Sequence, residues 1–417
     1  MAQESTGEAV RAVGTFVVSS HRFQSRMAQP SIITNTTIRS SPALHRSWVE
    51  VSGRQIAENF REVRRVAGDG VELMPVVKAD AYRHGAVAVS RVLEEEGARW
   101  LAVSNADEGI LLREAGCRAH ILVMADFLPF ERAALAEHHL TPVIHDIGDI
   151  ADWAAIAQRF GRTLPFHLKV DSGMGRLGTR ANAGAIAEAL DAAGPAVQLE
   201  GLMTHFASAS DFDSPQTGEQ CAYFRTLAND LASRGWKPKY LHMASTNPVG
   251  YAMRDSFCDL VRPGHAIYGY VSPARGATAP QLELRVKPAL TWKAAVLGVK
   301  DVEANARIGY GGMHVTRGPS RIAILAAGYA DGIPHRLGAR GRVIVRGTYA
   351  PIVGAVSMDL TTIDITNCPP VGVGDSVILL GSEGEASIDA QQMARLAGTI
   401  SYNVLCGIHA RVKRVHV

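Results

Sequence analysis

The sequence predicts an α/β protein, a (β/α)8 TIM-type barrel followed by a mostly-β C-terminal domain, and three observations carry that prediction. Short apolar runs recur at Leu73–Val77, Trp100–Val103, Ile121–Met124, Pro142–Ile144, Phe166–Val170, Leu199–Met203, Tyr240–Met243 and Cys258–Val261. Between most of them lie Ala/Leu/Glu/Arg-rich segments with helical spacing, such as Ala86–Glu96, Ala106–Ala115, Ala151–Phe160 and Ala183–Ala193. Eight strands alternating with helices is the rhythm of a parallel barrel. After Leu282 the texture changes to β-rich runs separated by Gly, Pro and Asp turns. A doubly wound open sheet competes for the first half, but it has fewer strands and a glycine-rich first turn. Here the first strand ends in Lys78-Ala79-Asp80.

Taken in order, residues 1–44 form an N-terminal extension rich in Ser, Thr and Arg, for which little ordered structure is expected. An organellar transit peptide has a similar composition, and a start at Met27 fits equally. Residues 45–282 are the barrel segment. It opens at Trp48–Val51, and Ser52 then caps a helix that places Ile56, Phe60 and Val63 on one face. Residues 283–417 are the β domain. Its strands are predicted at Val296–Val302, Arg321–Leu325, Arg342–Val345, Ile352–Val356, Ser376–Leu380 and Ala410–Val417, with one helix at Asp389–Leu396.

Composition narrows the function. The chain of 417 residues is 47% hydrophobic and 20% charged, with a formal net charge of +3. Such a balance, with no basic run interleaved with aromatics, argues against nucleic acid. No apolar stretch is long enough to span a membrane. The five cysteines are scattered and form no CxxC pair, which argues against a disulfide framework or a zinc site and for a reducing, cytoplasmic setting.

In a barrel the chemistry sits at the carboxyl ends of the strands. That rule selects Lys78 with Tyr82 after the first strand, Lys169 and Arg176 after the fifth, and His205 after the sixth. It selects Ser245 and Thr246 after the seventh, and Arg262, Gly264 and His265 after the eighth. A lysine in a closed pocket loses its proton readily and attacks carbonyls, which is how pyridoxal phosphate (PLP) enzymes hold their cofactor. Hydroxyls and free N–H groups at a helix start suit a phosphate, and arginines suit a carboxylate or a ring nitrogen. Each also has a plain reading: a lone lysine is usually exposed, Ser245-Thr246 could cap a helix, and a single His205 is more often a core histidine.

These motifs together resemble the alanine racemase family, from about residue 46 to 417. The resemblance implies that Lys78, in Val77-Lys78-Ala79-Asp80-Ala81-Tyr82, carries PLP and serves as one catalytic base, and that Tyr310, in Gly309-Tyr310-Gly311, serves as the other. It implies that Arg176 supports the tyrosine and the substrate, that Lys169 is a supporting and often carbamylated lysine, and that Arg262 faces the ring nitrogen while held by His205. Tyr82, Ser245, Thr246, Gly264, His265 and Tyr402 fall at cofactor-binding positions, and Met358 and Asp359, in Ser357-Met358-Asp359, belong to the substrate site and its support. The implied assembly is a homodimer with shared active sites, and the implied substrate is alanine, serving cell-wall D-alanine supply or L-alanine breakdown. Ala355 stands where many members carry arginine and His335 lies near the entrance, so a racemase of broader range (serine, lysine, arginine) stays open. A PLP decarboxylase of the same architecture is disfavoured, because such enzymes more often set an acidic group at the ring nitrogen.

Overall fold

The computed structural model describes residues 45–417, which lie within one compact unit, Ser41–Val417. The expectations for residues 1–44 fall outside the described residues. Strand β1 (Ser47–Val51) and helix α1 (Gly53–Ala67) come first. Ser52 caps α1 by accepting from the Gln55 N–H at 3.2 Å, and Ile56, Phe60 and Val63 are buried on its inner face. The alternating region then runs β2 (Glu72–Leu73), α2 (Lys78–Arg83), α3 (Ala86–Glu95), β3 (Trp100–Val103), α4 (Ala106–Glu114), β4 (His120–Val123) and α5 (Arg132–Glu137). It continues with β5 (Thr141–Ile144), α6 (Asp149–Phe160), β6 (Leu164–Lys169), α7 (Ala183–Ala193), β7 (Val197–Met203), α8 (Gln216–Ser233), β8 (Tyr240–His242), α9 (Thr246–Gly250) and β9 (Leu260–Val261).

Strands β3 to β8 form a six-stranded parallel sheet in sequence order, and β2 pairs in parallel with β9. The eight-stranded ring expected from the sequence is therefore not one continuous ladder. The two pieces meet through a pair of main-chain hydrogen bonds on each side. Val77 N–H donates to Ala102 O at 2.8 Å and Ala102 N–H to Pro75 O at 2.9 Å on one side, and Asp259 N–H donates to Leu241 O at 3.1 Å and Arg262 N–H to Ala244 O at 2.9 Å on the other. The ladder of the first strand is short because Pro75 lacks an N–H and the chain turns sharply at Lys78. The strands are largely apolar on both faces, since helices cover the outside and side chains fill the inside, with His167, Lys169 and His242 as buried polar exceptions. Trp100, Trp153 and Phe166 are fully buried there.

The second half contains β10 (Leu290–Val302), β11 (Arg307–Ile308), β12 (His314–Val315), β13 (Ser320–Leu325), β14 (Arg342–Val345), β15 (Thr348–Pro351) and β16 (Thr361–Asp364). These are followed by β17 (Ser376–Glu383), β18 (Ala386–Ile388), α10 (Ala390–Ala397), α11 (Ser401–Cys406) and β19 (Lys413–His416). A nine-stranded sheet has the path β15-β14-β17-β10-β1-β19, with β13, β16 and β18 paired off it. Strand β1 precedes the barrel elements in sequence but pairs with β10 and β19 of the second half.

The strand predicted at Ile352–Val356 is displaced: the ladder runs over Thr348–Pro351, and Ile352 makes only an isolated bridge to Ile363. Apolar residues at 352, 353 and 356 are buried as predicted, but they pack as an irregular segment rather than pairing in a ladder. Asp389 caps α10, accepting from the Gln392 N–H at 2.7 Å. No helix among the described residues is long and apolar enough to cross a membrane.

Candidate active site

The carboxyl ends of the parallel strands surround a cavity of about 750 Å³. Lys78, Tyr82, Lys169, Arg176, His205, Ser245, Thr246, Arg262, Gly264, His265 and Tyr402 all border it. Tyr310, Met358 and Asp359 do not. Tyr310 sits on a short turn of the β domain and is 76% exposed, and Met358 is 55% exposed. Asp359 accepts from Arg411 at 2.6 Å instead of facing the cavity.

Lys78 opens a turn in which Ala79, Asp80, Ala81, Tyr82 and Arg83 all have φ between 52° and 67°. A left-handed turn costs L-residues roughly 1–2 kcal/mol each, so outside contacts must hold it. Glu108 of α4 supplies one of them. The pattern Asn105-x-x-Glu108 reads as a capping box, and Asn105 does cap α4, accepting the Glu108 N–H at 2.9 Å. The Glu108 carboxylate, however, accepts the Ala79 N–H at 2.6 Å and the Ser104 N–H at 2.8 Å. Asp80 accepts the Ala86 N–H at 2.7 Å, and His84 Nδ1 lies 3.1 and 3.0 Å from the Ala81 and Tyr82 carbonyls. The turn throws the Lys78 side chain into the cavity. Burial lowers its pKa, the Arg176 charge lowers it further, and Glu108 opposes both.

After β6, Asp171 Oδ1 accepts the N–H groups of Gly173, Met174 and Gly175 at 3.1, 2.9 and 3.0 Å, folding the loop that carries Arg176 to the rim. Lys169 ends β6. Burial and the charges of Arg176 and Arg262 bring its pKa down to about 8. Arg176 and Arg262, with Lys169 beside them, thus give the cavity a positive field that suits an anion.

At the other end, α9 and the 3₁₀ turn His265–Tyr268 form a polar cradle. The Thr246 hydroxyl accepts from the Gly264 and Ala266 N–H groups at 3.0 and 3.2 Å. It does not cap its own helix. A Cβ at Gly264 would lie 2.5 Å from Tyr82 Oη, so any larger residue forces the tyrosine to shift. The His265 ring packs edge-on against Tyr402 at 3.8 Å between centroids. Both its nitrogens are buried without a partner, and burial pushes its pKa down to about 3, so the ring is neutral.

Arg262 differs from expectation. His205 does not hold it. Arg262 Nη1 donates to His242 Nδ1 at 2.8 Å and to His242 O at 3.0 Å, and Nη2 donates to Thr204 O and Met243 O at 2.6 and 3.0 Å. The four terminal N–H bonds are thereby used, leaving Nε–H as the donor available to the cavity. Burial lowers the guanidinium pKa to about 10, still well above neutrality. His205 borders the cavity as a neutral ring, its pKa pushed to about 3 by burial and by the Arg262 charge. His205 and His242 sit near the ends of neighbouring strands β7 and β8, so sequence position alone does not distinguish them. Only the inward alternation of β8 shows that His242 points at Arg262. Glu108 was also missed, its signal being an N-x-x-E box whose carboxylate has a second use.

A phosphate ester of a pyridine aldehyde fits this donor set. The hydroxyl and N–H cradle with its unpartnered imidazole suits the phosphate, Nε–H of Arg262 suits an aromatic nitrogen, and the lysine of lowered pKa suits the aldehyde.

Comparison with known proteins identifies the family. The family model described as alanine racemase, N-terminal domain, matches residues 51–273, and the one described as alanine racemase, C-terminal domain, matches residues 289–416. The alanine racemase of Carboxydothermus hydrogenoformans is 40% identical over 371 residues, spanning 89% of this chain and 99% of that protein. The alanine racemase of Halothermothrix orenii is 37% identical over 370 residues, spanning 88% and 96%. Among solved structures, alanine racemase from Streptomyces lavendulae superposes with a TM-score of 0.83 at 31% identity, covering 89% of this chain and 97% of that one. The Bartonella henselae alanine racemase, solved with covalently bound pyridoxal phosphate, has a TM-score of 0.78 at 25% identity, covering 89% and 100%. With both models and relatives of this identity spanning nearly all of residues 45–417, the chain belongs to the alanine racemase family.

Proposed function

We propose that this protein interconverts L- and D-alanine, with PLP held on Lys78, as a homodimer whose sites are shared. The observation that carries this reading is the single cavity in which Lys78, of lowered pKa, faces the same space as the one free N–H of Arg262. The six-stranded ladder and the β2–β9 pair are read as one (β/α)8 barrel, with its chemistry at the carboxyl ends of the strands.

When bound, PLP supplies an electron-withdrawing ring that makes the substrate Cα–H acidic enough to remove. The cradle around Thr246 and Gly264 fixes the phosphate, with Tyr82, Ser245, His265 and Tyr402 around it. The Lys78 amine, whose neutral form burial favours, takes or returns a proton on one face. Arg262 only donates, so an aromatic nitrogen facing its Nε–H stays unprotonated. That weakens the electron sink and favours proton return over transamination. Arg176, at the rim, attracts the substrate carboxylate.

A racemase needs a base on the opposite face as well. Tyr310 lies outside its own chain's cavity and is exposed on the β domain, which supports delivery by a second copy. Met358 is exposed on the same domain and is assigned to the same shared site.

The test is racemisation of L-alanine by the purified holoenzyme, run beside serine, lysine and arginine. Turnover confined to alanine is expected. Turnover of the larger amino acids at comparable rates would select the broad-range reading, and no racemisation of any would reject both. Mixing Lys78→Ala and Tyr310→Ala subunits tests sharing. One site of each mixed dimer receives both defects and the other none, so activity should reappear. Continued inactivity after proven subunit exchange would reject the shared site.

A further inference from the structure

Arg262 is buried, and among the described residues no carboxylate pairs with it directly. Its charge continues into a chain of imidazoles. His242 Nε2 lies 2.9 Å from His167 Nδ1, and His167 Nε2 lies 3.7 Å from a carboxylate oxygen of Glu200. Both histidines are fully buried. His167 Nε2 and the Glu200 oxygen are each buried without a hydrogen-bond partner, and each is the nearest complement the other has. Closing to a hydrogen bond takes a movement of ~1 Å by the carboxylate.

These contacts settle where every proton sits. Arginine can only donate, so His242 Nδ1 accepts and the ring carries its proton on Nε2. His242 Nε2–H then donates to His167 Nδ1, and His167 carries its own proton on Nε2, aimed at Glu200. Neither ring is positively charged at neutral pH, because burial disfavours the imidazolium of both. The opposite tautomer of His242 would set an N–H against the Arg262 N–H and lift the guanidinium from its seat.

The barrel is built to admit this chain. A Cβ on Gly201 of β7 would lie 2.5 Å from His167 Nδ1, so only glycine leaves room for the ring. The β6–β7 register shifts between Phe166 and His167. Trp100 packs on the same ring at 5.4 Å between centroids.

We infer that His167 and Glu200 are positioning residues: by accepting the Nε2–H of His242 they hold the tautomer that Arg262 requires and, through it, the seat of Arg262 at the cavity. The kinetic half of this inference rests on the proposed racemase reading, while the tautomer half does not.

Selective ¹⁵N labelling of histidine tests it by NMR, in the protein with and without PLP. His242 and His167 are expected to be neutral with the proton on Nε2. A proton on Nδ1 of His242, or an imidazolium, would overturn the inference without any substitution being made. Glu200→Leu, which removes the terminal acceptor, should mix the His242 tautomers. It should lower kcat for L-alanine roughly 10-fold, as loss of an outer partner does at metal sites, with KM within twofold. Glu200→Gln keeps an acceptor oxygen and should restore both. A Glu200→Leu protein with an unaltered His242 tautomer and unaltered kcat would also overturn it. If the tautomers are as stated but no racemisation occurs, the functional reading fails and the tautomer assignment stands.

Discussion

At the scale of single residues, the cradle depends on one missing methyl group. Any Cβ on Gly264 would fall 2.5 Å from Tyr82 Oη and 3.5 Å from Val76 Cβ, so Gly264→Ala must displace the tyrosine. Each hydrogen bond lost to a charged phosphate costs about 1.5–3 kcal/mol, and PLP affinity should fall roughly 10- to 100-fold in a folded protein. Absorbance titration of the apoprotein measures this. The companion variant Gly264→Ala with Tyr82→Phe removes the clashing oxygen and should recover part of the loss. Wild-type affinity in the single variant would reject the cradle as the phosphate site.

At the scale of one element, the turn after Lys78 stores backbone strain. Ala79 is exposed to solvent and cavity, so its substitutions report the backbone rather than core packing. Ala79→Val places a β-branched residue at φ 54° and should cost about 1–2 kcal/mol of stability. Ala79→Gly relieves strain but frees the unfolded chain, and these nearly offset. It should leave stability within about 1 kcal/mol while loosening Lys78, seen as slower turnover at unchanged urea midpoint. Equal urea midpoints for the valine and wild-type proteins would mean the turn is not strained.

At the scale of the whole molecule, burying neutral histidines sets the acid limit. Burial brings His84 and His145 down to about 4, and His205 and His265 down to about 3, against an ordinary 6.5. Below pH 6.5 the unfolded chain binds protons that the folded one refuses. Stability is therefore full above 6.5 and is lost as pH falls toward 4. Each such group contributes about 1.4 kcal/mol per pH unit in that window. Urea midpoints at pH 7.5, 6 and 5 should fall progressively more steeply. A flat profile would show that these rings are solvated in the folded state.

The sequence by itself determined the alternation of strands and helices, the cap at Ser52 and the change to a β-rich second half. It also placed Lys78, Lys169, Arg176, Thr246, Arg262 and Gly264 at one face, because strand ends follow from apolar runs and a parallel barrel gathers them. Tertiary structure decided what lies between those points. Lys78–Arg83 contains no glycine, so nothing local signals a left-handed turn; a carboxylate from 29 residues away imposes it. The partner of Arg262 is His242 rather than His205, a choice set by which face of a strand looks inward. The Ile352–Val356 run is buried without a ladder, because burial follows hydrophobicity while pairing follows register. The short strand β16 gains its pairing from β13, which is distant in sequence, and local pattern carries no record of that.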